Sequence, residues 1–214
     1  MHFISEELED YCSQKTSKGS DLLQQIDRET NAKVLNPRML SGHLQGRLLS
    51  MISKMIKPTR ILEIGTYTGY SALCLAEGLA EGGKITTIEK NAELESMIQK
   101  NLSQSEYSDK IELHIGNALN IIPELKEQYQ LVFIDADKEN YPLYFKMIWD
   151  KLSSGGFVLA DNVLWSGKVI EPTITGDIDT ERIKMFNENV VNMPDVECVL
   201  LPVRDGLMLV RKNK

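Results

Sequence analysis

A chain of 214 residues, 42% of them hydrophobic and 26% charged, reads as a globular protein long enough to bury a substantial core. Its net charge of −7 weighs against generic binding to nucleic-acid phosphates. Three scattered cysteines argue against a disulfide framework, no apolar run reaches the ~18 residues of a membrane span, and the acidic start lacks the features of a signal peptide, so the expected location is cytoplasmic, away from membranes.

Residues 1–57 read as a helical cap ahead of the first strand. Ser5 is placed to cap one helix, and a second follows Ser20 with Leu22, Leu23 and Ile26 on one face. Residues 33–41 read as a loop holding Pro37. A third helix is expected from about 41 to 56, with Leu44, Leu48, Leu49, Ile52, Met55 and Ile56 as its apolar stripe.

From residue 58 onward strands and helices alternate. The first strand is 60–64, and a glycine-bearing turn at 65–69 leads into a helix that stops near Gly82-Gly83. A strand at 84–88 is followed by Glu89 and by a helix that Asn91 can cap. A third strand at 111–115 precedes a short helix around 121–126, and a fourth at 131–134 precedes a helix over 141–152. Residues 153–156, Ser-Ser-Gly-Gly, read as a turn into a fifth strand at 157–160. An irregular lid is expected from 165 to 180, then a helix over about 179–191. Segments 196–201 and 207–211, joined through Asp205-Gly206, read as an antiparallel pair. Five alternations imply an α/β fold with a parallel sheet covered on both faces.

In such a sheet the C-terminal ends of the strands share one edge, where ligands bind. That edge collects Gly65, Glu89, Asn117, Asp135, Asp161 and Asn162. The first turn has the spacing E-x-G-x-x-x-G at Glu63, Gly65 and Gly69, which is not the fingerprint of dinucleotide enzymes. Glu89, placed 24 residues after Gly65, can accept hydrogen bonds from both ribose hydroxyls of a nucleoside ligand, or simply start a loop. Asp135, Asp161 and Asn162 offer oxygen donors suited to a hard cation such as Mg2+; the competing reading is that they cap turns. Lys138 sits beside them, either as a proton acceptor or as an ordinary surface lysine. Tyr67 and Ser71 contact a ligand or pack the helix start, Trp165 covers a substrate or anchors its loop, and Gln45-Gly46 suggests no chemistry.

With these residues in view, the chain resembles the metal-dependent, S-adenosylmethionine-dependent O-methyltransferases that include the catechol and caffeoyl-CoA enzymes, especially their small bacterial members. The resemblance rests on residues 39–46, 61–71, 116–119, 133–138, 161–167 and 201–207, in family order. It implies a Rossmann-like class I methyltransferase: a mostly parallel seven-stranded sheet with helices on both faces and a C-terminal antiparallel hairpin. The whole chain, 1–214, would form one domain, with 1–57 as cap and 58–214 as cofactor-binding core.

By position, the resemblance implies cofactor contacts at Met39, Glu63, Gly65, Tyr67, Ser71, Glu89, Ala118 and Asp135. It implies a divalent cation, Mg2+ or else Ca2+ or Mn2+, on Asp135, Asp161 and Asn162, and Lys138 as catalytic base. The expected reaction is methyl transfer to one hydroxyl of a vicinal diphenol, with a small phenolic substrate and a homodimeric enzyme. The alternative is methylation of 5-hydroxyuridine in transfer RNA by the same chemistry; a dinucleotide-dependent oxidoreductase ranks below both. The lid carries no readable substrate motif.

Overall fold

The computed structural model describes residues 5–213. Its helices are α1 (Glu6–Gln14), α2 (Asp21–Lys33), α3 (Gly42–Ile56), α4 (Tyr70–Ala76), α5 (Glu95–Ser103), α6 (Ala118–Ile121), α7 (Tyr141–Trp149) and α8 (Ile178–Val191). Its strands are β1 (Arg60–Ile64), β2 (Lys84–Glu89), β3 (Ile111–Ile115), β4 (Tyr129–Ile134), β5 (Leu152–Asp161), β6 (Val196–Leu201) and β7 (Leu207–Lys212). They form one seven-stranded sheet in the order β3-β2-β1-β4-β5-β7-β6. The pairings from β3 through β5 are parallel, and β7 runs antiparallel to both β5 and β6. This is the mostly parallel seven-stranded sheet with a C-terminal antiparallel hairpin that the resemblance implies.

The apolar strand runs are explained by burial on both faces. Ile61, Leu131, Phe133 and Leu159 point to the side covered by α2, α3, α4 and α5. Leu62, Ile64, Val132, Ile134, Val158 and Ala160 point to the side covered by α7 and α8, where Tyr141, Phe145 and Phe186 pack edge-on. Register then sets the ligand edge. Ile64 pairs with both Ile88 and Ile134, and Ile134 with Ala160. One residue further along, Gly65, Glu89, Asp135 and Asp161 therefore stand in a row across the four central strands.

The caps at Ser5 and Ser20 accept from Leu8 N and Leu23 N as expected, each at 3.3 Å. Asn91 caps a single 3-10 turn, Ala92–Leu94, that runs into α5. Other boundaries differ from the sequence reading. The 33–41 segment contains a 3-10 turn, Pro37–Met39. The helix placed at 121–126 begins earlier, at Ala118, because Asn117 caps it by accepting from Leu119 N at 3.0 Å. It tightens to a 3-10 turn at Ile122–Glu124, where Pro123 lacks a donor. α7 ends at Trp149, not 152. β5 begins at Leu152, so 153–156 lies within the strand as an irregularity: Tyr129 pairs with Leu152, but Leu131 pairs with Phe157. The expected lid is shorter than 165–180, because Trp165–Ile170 is turned and Asp177 caps α8. No described helix is long and apolar enough to cross a membrane.

Candidate functional site

At the sheet edge, Gly65 brings β1 and β4 together. A Cβ there would lie 2.0 Å from the Asp135 carbonyl oxygen, and its φ of +102° suits glycine. The chain after it adopts φ +52° at Tyr67, a conformation held from two sides. Tyr67 N donates to Glu89 Oε2 at 2.7 Å, and the Tyr67 hydroxyl donates to Asn36 O at 2.8 Å. Glu89 Oε1 accepts from Asn91 N at 2.8 Å. Each Glu89 oxygen thus keeps a further lone pair for a ligand.

Met39, Leu40 and Ser41 reach over this turn and form a narrow cleft with Gly65, Thr66, Tyr67, Tyr70, Ser71 and Asp135. The cleft therefore contains five of the sequence-predicted cofactor residues: Met39, Gly65, Tyr67, Ser71 and Asp135. Ala118 stands at the start of α6, beside the β2 end through the Gly116 N to Glu89 O bond of 2.8 Å. Glu63 is fully buried beneath the turn. Thr66 and Thr87 hydroxyls lie 2.6 Å apart, and Thr87 donates to Glu63 Oε2. Glu63 Oε1 is buried without a protein partner. Burial pushes the Glu63 carboxyl up to about 8, against the opposing influence of the nearby Ser71 and Thr87 hydroxyls.

Asp161, at the end of β5, is 2% exposed. Its Oδ1 accepts from Asn162 N at 2.8 Å and its Oδ2 from Gln45 Nε2 at 2.7 Å. Asn162 follows with φ +60°, a conformation that asparagine tolerates. Burial first, and then the charge of Asp135, push the Asp161 carboxyl up to about 7. An acid raised by a neighbouring carboxylate in this way favours a cation between the two, and with Asn162 they supply only hard oxygen donors. The donor set therefore fits a divalent cation of the Mg2+ type. Among the described residues, no group of three or more His, Cys, Asp or Glu gathers as a metal cluster.

Lys138 is buried beside this pair. Its Nζ donates to Asp135 Oδ1 at 3.1 Å and to the Tyr141 hydroxyl at 2.7 Å, and it lies 4.7 Å from the centre of the Tyr141 ring. The Tyr141 hydroxyl donates to Asp161 O at 2.8 Å, and burial keeps it protonated by raising its pKa well above 10. Trp165 packs against the core as a loop anchor.

Sequence reasoning missed Gln45, Arg204, Thr87 and Tyr141. Arg204 lay within a stretch that carried the family resemblance, but nothing in its local pattern pointed to Gln45 across 159 residues.

Comparison with known proteins identifies the family. A sequence model described as O-methyltransferase matches residues 13–213. Caffeoyl-CoA O-methyltransferase 5 of Nicotiana tabacum is 33% identical over 199 residues, covering 86% of this chain and 82% of that protein. An O-methyltransferase from Bacillus cereus, solved with SAH, superposes with a TM-score of 0.89 at 28% identity, covering 97% of each chain. The O-methyltransferase TomG of Streptomyces achromogenes, involved in tomaymycin synthesis and solved with SAM, gives 0.90 at 27% identity over 97% of this chain and 96% of that one. The seven-stranded sheet, the glycine turn and this match along nearly the whole chain place the protein in the O-methyltransferase family.

Proposed function

We propose that this enzyme transfers the methyl group of S-adenosylmethionine to one hydroxyl of a vicinal diphenol, of catechol or caffeoyl type, with a divalent cation, Mg2+ in the first instance. One observation carries this reading: Asp135 is shared. It lines the cleft under Met39–Ser41 and also faces Asp161 closely enough to raise its pKa, so donor and acceptor sites adjoin at one carboxylate. The solved relatives with bound SAM or SAH and the plant relative named for caffeoyl-CoA support the choice of cofactor and acceptor class.

When bound, S-adenosylmethionine supplies an electrophilic methyl group, and the cation supplies a Lewis acid for an ionised phenol oxygen. The chain's own residues do the rest. Glu89 accepts hydrogen bonds from the ribose hydroxyls, Ala118 borders the adenine, and Met39, Gly65, Tyr67, Ser71 and Asp135 enclose the methionine side. Glu63 lies buried beneath that side, at the end of its hydroxyl chain from Thr66 and Thr87. Asp135, Asp161 and Asn162 hold the cation. Lys138, held by its Nζ donating to Asp135 Oδ1 and the Tyr141 hydroxyl, is the base that takes the acceptor's proton. Catalysis then rests largely on orientation.

The test is transfer of labelled methyl from S-adenosylmethionine to a panel of catechols and transfer RNA, with Mg2+ or with excess chelator. Catechol methylation abolished by chelator is expected. Asp161→Ala should lower turnover by at least ~100-fold while the fold persists. Full turnover of that variant in chelator would remove the cation from the reading, and methylation of RNA alone would replace the acceptor.

A further inference from the structure

Gln45 had no chemistry at the level of sequence, yet it is 1% exposed and both ends of its amide are engaged. Nε2 donates to Asp161 Oδ2 at 2.7 Å, and Oε1 accepts from Arg204 Nη1 at 3.1 Å. The same guanidinium donates to Leu40 O at 2.9 Å, to Ser41 O, and to Arg38 O at 3.4 Å. α3 presents Gln45 at this point because Gly46, the next residue, has no side chain. A Cβ on Gly46 would lie 2.6 Å from the Tyr70 ring and 2.9 Å from Cys74 Sγ, so α3 could not close on α4.

We infer that Gln45 is a positioning residue for Asp161, with Arg204 fixing its orientation; the inference rests on the cation reading above. The chemistry singles out an amide. Arginine only donates and an ionised carboxylate only accepts, so a residue bridging them must offer an acceptor at one end and a donor at the other. Glutamine does so without bringing a charge that would compete for Asp161. Asp161 Oδ1 is held by Asn162 N and Oδ2 by Gln45, so the carboxylate is fixed in plane and each oxygen retains a lone pair facing away from its donor. Outer hydrogen bonds of this kind orient ligating carboxylates, and losing one typically costs 10–100-fold in metal affinity or activity. The N-terminal cap and the β6–β7 turn thereby converge on one ligand, although Gln45 itself contacts neither cofactor nor acceptor.

The experiment is Mn2+ titration by electron paramagnetic resonance of the full-length wild type, Gln45→Met and Gln45→Asn, with SAH affinity measured separately in chelator. Methionine keeps the volume and loses both hydrogen bonds; asparagine keeps the amide on a stem one methylene shorter. Gln45→Met is expected to weaken Mn2+ binding at least ~10-fold and Gln45→Asn by less, with SAH affinity changed by under about twofold in both. Unchanged Mn2+ affinity in both variants overturns the inference while leaving the cation reading intact. Loss of SAH and Mn2+ affinity in equal measure also overturns it, since that marks a purely structural role. Failure of the wild type to bind Mn2+ removes the cation reading, and the positioning role falls with it.

Discussion

Glu63 is the side chain whose chemistry depends most on burial. It lies within β1, where a carboxylate would normally be excluded, and only its Oε2 has a hydrogen bond from Thr87. With its pKa pushed up to about 8, it keeps its proton at neutral pH, when the unfolded chain has released it near 4.5. Below pH 4.5 both states are protonated and its contribution is complete. As pH rises from 4.5 through about 8 the unfolded state gives up a proton that the folded state retains, and stability falls by an amount on the order of a few kcal/mol. Glu63→Gln should abolish that slope, because a neutral amide occupies the same volume without titrating. Urea midpoints of both proteins at pH 5.5 and 8 check this. Equal pH dependence in the two proteins would mean that Glu63 is ionised in the folded state throughout this range.

At the scale of elements, the joint between α3 and the end of α4 is held by one acid. Glu77 accepts from Arg47 at 2.9 and 2.7 Å, from Ser50 at 2.7 Å and from Lys54 at 2.9 Å. Burial pushes its carboxyl up, but the donors from Arg47, Lys54 and Ser50 outweigh that and hold it at about 2. Its stabilisation is therefore present above pH 4.5 and lost as pH falls toward about 2. Glu77→Gln should cost about 2–3 kcal/mol at pH 7, and the gap to wild type should narrow at pH 3.5. Thermal unfolding at the two pH values measures it, and a gap that stays constant would mean that the charge on Glu77 is not what holds the joint. How much of this was legible follows from the range of the contacts. The central strands are legible because parallel strands buried on both faces read as unbroken apolar runs, and their register then places Gly65, Glu89, Asp135 and Asp161 without further information. The start of β5 is not legible: Ser-Ser-Gly-Gly has the composition of a turn, and only its pairing with β4 makes it strand. Neither is the Glu77 joint, whose partners come from another helix about a turn apart on α3 and 23–30 residues away.

Over the whole molecule, the Asp161–Asn162 end of the sheet edge depends on the last hairpin. The turn between β6 and β7 holds the segment after β5: Val163 N donates to Gly206 O at 3.1 Å, Leu164 N to Asp205 O at 2.9 Å, and Ser166 N to the Asp205 carboxylate. Arg204, in the same turn, braces Gln45. One turn thus reaches both the backbone that carries Asn162 and the side chain that holds Asp161. Gly206 permits this contact, having φ +90° and standing where a Cβ would lie 2.5 Å from Leu164 Cγ and 2.8 Å from Leu164 N. Gly206→Val should push the 162–166 segment off the turn while leaving β1, β2 and the cleft over Gly65 in place. The expected result is a fall in kcat of at least ~10-fold with KM for S-adenosylmethionine and SAH affinity within about threefold of wild type, because displacing reacting groups by ~1 Å is costly and the clash at Gly206 falls on Leu164, whereas the turn reaches the donor side only through Arg204, two residues away, on Leu40 O, Ser41 O and Arg38 O. A parallel loss of SAH affinity would show that the hairpin supports the sheet as a whole, and an unchanged kcat would show that the segment after β5 keeps its position without the turn.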